Sequence, residues 1–126
     1  MPAAPTSGPT ALIRSLRIKS SSLNRLQKDV KAYTSETTSA QASLEKWRTM
    51  DPKERDENWE WNVKNAEKVV RDCAQMVPLT QVKVHAALDD LRDLVDTLKA
   101  EGDEEVLKSS EYETACKALQ TQTSEQ

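Results

Sequence analysis

His85, Cys73 and Cys116 are the side chains in this sequence best suited to ligate a metal or attack a substrate, and their arrangement favours neither. A zinc site draws on four ligands at short, paired spacings, and a lone histidine with two distant cysteines supplies no such set. The 21 Asp and Glu residues are abundant enough for acid/base work. Yet no glycine-rich phosphate loop, nucleophile elbow or paired-base arrangement accompanies them, and the chain has only two glycines. The expectation is a protein that acts by binding, with no catalytic residues, no metal and no cofactor.

The elements that must position any binding residues are helical. With 126 residues the chain has room for one domain, and 31% charged residues with no phenylalanine point to helices with highly polar outer faces. From Leu16 onward, alternating steps of three and four residues select Leu16, Lys19, Leu23, Leu26, Val30, Tyr33, Thr37, Ala40, Leu44 and Trp47. Only Lys19 and Thr37 break the apolar series, which makes it a coiled-coil seam. At "TMDPKERD", Asp51 can cap, Pro52 fits a first helical position and Glu54 completes a capping box, so a second helix is expected from about residue 52. Its seam is Trp59, Val63, Ala66, Val70, Cys73, Val77, Thr80, Val84, Ala87, Leu91, Leu94 and Leu98.

That register crosses Pro78 without a slip. "MVPLTQ" lacks the glycine, asparagine or aspartate that would cap and reverse the chain, so the helix is expected to bend at Pro78 and continue. Gly102 should end it, and Asp103, Glu104 and Glu105 suit the start of a third helix. The expected fold is all-α: an elongated antiparallel three-helix bundle. Its parts are a disordered tail at 1–10, helix 1 at about 11–49, helix 2 at about 52–100, helix 3 at about 103–120, and a disordered end at 122–126. Antiparallel packing would set the short third helix beside the C-terminal half of helix 2 and the N-terminal half of helix 1. Leu88 and Val95 widen the apolar stripe where it docks, whereas Val69 and Met76 widen it where no third helix reaches. Cys73 and Cys116 then stand at different heights, roughly 21 Å apart, too far for a disulfide.

The net charge of -3 is unevenly spread: residues 1–50 carry 8 basic and 3 acidic side chains, and residues 101–126 carry 2 and 7. A basic first third could mark an acidic partner. Overall negative charge without a basic stripe interleaved with aromatics argues against nucleic acid, and no apolar run is long enough to span a bilayer. "MPAAPTSGPT" has no signal-peptide pattern, so a cytoplasmic protein with reduced cysteines is expected.

Three segments, "LRIKSSSLNRLQKDVKAY", "WNVKNAEKVVRDCAQMVPLTQVKVHAALDDLRDLV" and "SSEYETACKAL", together resemble the tubulin-binding cofactor A family. The matching features are the basic "RIK" start, Arg25-Leu26 followed by Lys28 and Tyr33, the mid-helix Val77-Pro78, and a short last helix with Glu111-Tyr112. The chain departs from the family in its longer proline-rich start and in Trp47, Trp59 and Trp61. The resemblance implies a slim three-helix chaperone without nucleotide or metal. It would capture β-tubulin after chaperonin release and pass it on, through the other tubulin-folding cofactors, for α/β heterodimer assembly in the cytoplasm and cytoskeleton. The alternative class is a generic helical scaffold or spectrin-like interaction module, which wants a third helix as long as the first two.

Candidate partner-binding residues follow from their positions. Trp61 stands about opposite the seam, either as a contact anchor or with its ring lying on its own helix. Trp47 and Trp59 occupy seam slots and are expected to be core. Val69, Met76, Leu79 and Val82 fall on faces the bundle leaves partly uncovered around Pro78. Arg25 and Lys28 could meet acidic tubulin surface. The uncovered half is also open to an antiparallel homodimer, so monomer and dimer both stand.

Overall fold

A computed structural model describes residues 8–125, and among them every regular element is helical. Helix α1 runs Pro9–Arg48 and α2 runs Trp59–Glu101. They are followed by a four-residue α3, Glu104–Leu107, and by α4, Ser110–Glu125. A 3₁₀ turn, Pro52–Glu54, lies between α1 and α2. The brief alternations "WEWNV" and "VKVHA" are both inside α2.

Several boundaries differ from the sequence expectation, each for a local reason. Helix α1 starts two residues early because Pro9 takes the first helical position, where its missing amide costs nothing, and the Gly8 carbonyl accepts the Leu12 amide at 3.0 Å. Residues 1–7 of the expected tail, and Gln126, lie outside the described residues. At the other end, residues 122–125 were expected to be disordered and are instead helical, as the last residues of α4.

The second helix does not begin at residue 52. Asp51 does cap there, accepting the Lys53 amide at 3.0 Å, but the turn it starts lasts three residues. Arg55 then turns extended (φ -74°, ψ 125°), and its Nε donates to the Met50 carbonyl at 3.1 Å. A second carboxylate, Asp56, takes over by accepting the Asn58 amide at 2.9 Å, and α2 follows.

The single third helix is two. Asp103 caps α3 by accepting the Glu105 amide. Ser109 ends α3 and starts α4 with one hydroxyl, donating to the Val106 carbonyl at 2.6 Å and accepting from the Tyr112 amide at 3.1 Å. Gly102, at φ 71°, has the left-handed conformation that ends α2.

Helix α2 passes through Pro78 without interruption. The seam positions behave as the periodicity requires: none of the ten in α1 or the twelve in α2 is exposed. Their polar members are accommodated individually. Lys19 forms an ion pair with Asp90, and the Thr37 hydroxyl donates to the Tyr33 carbonyl at 2.8 Å.

The chain divides into two compact units rather than one. The first takes in the chain up to Arg25 and from Lys83 onward, so it contains α3 and α4; the second is Leu26–Val82. In the first unit Leu16, Leu23, Leu91, Leu98, Val106 and Ala115 are fully buried, and Leu88 and Val95 nearly so. Each such leucine contributes roughly 1.5–3 kcal/mol relative to an exposed one. In the second unit the buried residues are Leu44, Ala66 and Thr80.

Candidate functional site

The second unit carries the exposed apolar side chains, and the helical repeat of α2 explains where they fall. With Val63, Val70 and Val77 inward, a residue two before or two after a seam valine points away from the seam. Trp61 (66% exposed), Leu79 (59%) and Val82 (68%) are in that relation and face outward. Val69 and Met76 sit beside the seam, Val69 exposed and Met76 half-buried.

These residues do not form one patch. Pro78, Leu79 and Val82 are all exposed within about one turn of helix, and Met76 lies a step further round. Trp61 is 18 residues from Leu79 along α2, about 27 Å by helical rise. Val69 lies between, flanked by the exposed Lys68 and Arg71. Lys28, on α1, is exposed in the same unit, and Arg25 is exposed in the first unit.

The connection between α1 and α2 is held by groups whose roles the sequence concealed. Trp47 and Trp59 are half-buried rather than plain core. The Trp59 indole N–H donates to the Trp47 carbonyl at 2.8 Å, near the end of α1, where the Met50 amide also donates to it at 3.4 Å. The Arg55 guanidinium lies 4.0 Å from the centre of the Trp59 ring, a cation–π contact. Arg48 and Glu67 pair at 3.0 Å beside them. The 3.6-residue period shows which side a tryptophan faces and carries no sign of a bond to a carbonyl twelve residues earlier.

Thr34, Thr37 and Thr38 each donate to the carbonyl four residues back. Those bonds satisfy the threonine hydroxyls inside α1, which runs through "TSETTSA" although Thr and Ser are weak helix formers. In the first unit, Tyr112 is pushed above the usual phenol range of 10.0 by burial, and further by Cys116 and Asp96 nearby. Both cysteines are free, half-buried thiols. His85 is exposed, and among the described residues no three metal-ligating side chains gather.

Sequence reasoning passed over Ile18, which is 54% exposed on α1 in the first unit. The signal was available: like Trp61, it falls off the seam, two residues past Leu16 and between Arg17 and Lys19.

Long helices that face inward along regular seams, with helix as the sole regular structure among the described residues and bulky apolar groups left on outer faces, define a helical binding module. A family model described as tubulin binding cofactor A matches residues 11–119, and the chain belongs to that family. Neither a curated protein sequence nor a solved structure gives a significant match. Membership brings a tubulin-binding cofactor role and makes tubulin the implied partner. No helix among the described residues is long and apolar enough to cross a membrane.

Proposed function

We propose that this protein captures β-tubulin after its release from the cytosolic chaperonin and holds it for α/β heterodimer assembly, by binding and without catalysis. The observation that carries the reading is the outward Pro78, Leu79 and Val82 cluster on α2 in a chain of a tubulin-binding family. Exposed apolar side chains gathered in one turn favour a partner surface over isolated solvated residues. Met76, half-buried, borders that face one step round from Leu79, and Val69 and the aromatic Trp61 are separate contacts along α2. Arg25 and Lys28 meet acidic surface on the partner.

The finer architecture belongs to the same proposal: α1 and α2 run antiparallel, with α3 and α4 standing in for the third helix of a bundle. Two pairings support it: Lys19, early in α1, reaches Asp90 late in α2, and Arg48 at the end of α1 reaches Glu67 early in α2. A spectrin-like scaffold is less well supported, because α4 has 16 residues against 40 and 43 in the long helices.

The test is retention of purified β-tubulin on immobilised protein. The parent should hold it at micromolar concentration, and L79E with V82E should weaken retention about tenfold or more while helicity by circular dichroism stays the same. No retention by the parent removes the proposal. Undiminished retention by the double variant moves the surface elsewhere, with W61E and M76E next.

A further inference from the structure

The outer face of α1 in the first unit has a charge pattern of which the tubulin reading uses Arg25 alone. Up to Arg25 the sequence contains four basic side chains, Arg14, Arg17, Lys19 and Arg25, and no acidic one. Lys19 is at the seam and is neutralised by Asp90. Arg14, Arg17 and Arg25 are all exposed, and no described carboxylate pairs with any of them. Of the other basic residues in the same unit, Arg92, Lys108 and Lys117 each have a carboxylate partner one turn away on their own helix, and Lys83 and Lys99 have none among the described residues. Arg17 and Ser21 share a hollow with Ser110, Glu111 and Thr114 of α4, so one carboxylate borders the face on that side. Arg14 and Arg25, with no acidic residue on their own stretch of helix, still produce a local positive field that a partner's carboxylates can neutralise.

The face is not uniformly polar. Arg14, Ile18, Ser21 and Arg25 follow one another at steps of four, three and four residues, so they share one side of the helix, with Arg17 alongside. Ile18, 54% exposed, is the large apolar side chain on that side. A stripe of arginines around one isoleucine suits a ligand with carboxylates flanking an apolar residue. The distance from Arg14 to Arg25 is about 16 Å by helical rise, which about five residues of extended peptide would cover.

We propose that this face of α1 is a docking surface for an acidic polypeptide segment with an apolar residue at its centre. Its carboxylates pair with Arg14, Arg17 and Arg25, and its apolar side chain covers Ile18. The surface lies in the other unit from the Pro78 cluster and does not depend on the identity of the partner that the cluster holds.

The full chain is titrated calorimetrically with a synthetic peptide of about eight residues, glutamates around a central leucine, long enough to cover the face with a residue or two to spare at each end. Controls are the same peptide with glutamine for glutamate, and phosphatidylcholine vesicles containing phosphatidylserine. The glutamate peptide should bind, and affinity should fall about tenfold or more between low and 0.5 M salt. R14E/R17E/R25E should abolish binding, with single R25Q costing about threefold as a milder check on a folded protein. I18S should weaken binding about threefold without changing the salt dependence. Equal binding of the glutamine peptide, or an I18S variant that binds as the parent does, would overturn the proposal. So would arginine-dependent binding to vesicles without binding to peptide, which would assign the face to a lipid surface. Failure of the L79E/V82E test with β-tubulin leaves this result untouched, since no tubulin enters it.

Discussion

Up to Arg25 and beyond Lys83, five large side chains, Leu16, Leu23, Leu91, Leu98 and Val106, lose all contact with solvent; within Leu26–Val82 burial is confined to Leu44, Ala66 and Thr80. Both units use the same two long helices and the same heptad spacing. What distinguishes them is α3 and α4, which belong to the first alone. Flanking residues show the effect directly. Leu88 and Val95, beside the seam in the first unit, are buried, whereas Val69 and Met76, beside it in the second, are exposed and half-buried. A seam between two helices covers its own a and d positions, and the flanks need a further element. The unit without one keeps apolar surface available for something else.

The comparison can be broken most sharply in the core. Leu91→Ala should cost about 3 kcal/mol in a urea titration, because it opens a cavity at a fully buried position. The half-buried Val70→Ala should cost about 1 kcal/mol or less. Equal losses would mean that the two units are equally well packed. Native-state hydrogen exchange sharpens the same contrast. Amides of residues 59–82 should exchange about tenfold or more faster than those of 84–98, although both stretches lie in α2. Uniform protection along α2 would count against a difference in local stability.

A smaller effect is expected at Gly102. Its φ of 71° suits glycine, and although a Cβ would meet nothing within 4 Å, Gly102→Ala should still cost about 1 kcal/mol through backbone strain. The smallest is a pH effect confined to the first unit. Tyr112 binds its proton more tightly in the folded chain, so its contribution is fully present below the ordinary phenol value of 10.0 and is lost as pH rises through the higher folded value. Stability should decline above pH 10 in the parent and decline less in Tyr112→Phe, read from thermal melts across that range.

The seams were legible in the sequence because period and burial are the same physical fact: from Leu16 to Trp47 and from Trp59 to Leu98, each expected inward position is sheltered. Passage of α2 through Pro78 was legible for the same reason, since the register never shifted. Boundaries were less so. Asp51-Pro52 has the chemistry of a helix start, and it took the Arg55 side chain, bonded to the Met50 carbonyl, to end that turn at once. The split at Ser109 depends on one hydroxyl serving two turns, which composition alone does not show. Among candidate contacts, outward placement of Trp61, Leu79 and Val82 could be read from heptad position. Ile18 was missed because a single isoleucine within "RIKS" looks like part of a basic helix start.

All three tryptophans, Trp47, Trp59 and Trp61, fall within Leu26–Val82, and the other unit's aromatic residue is Tyr112. The molecule is therefore optically one-sided. Indole emission excited at the red edge reports on one unit alone: Trp47 and Trp59 register the state of the interhelix connection, while Trp61 is open to a water-soluble quencher. Far-ultraviolet ellipticity, which counts every helix, would lag or lead that emission during unfolding to the extent that the two units come apart separately.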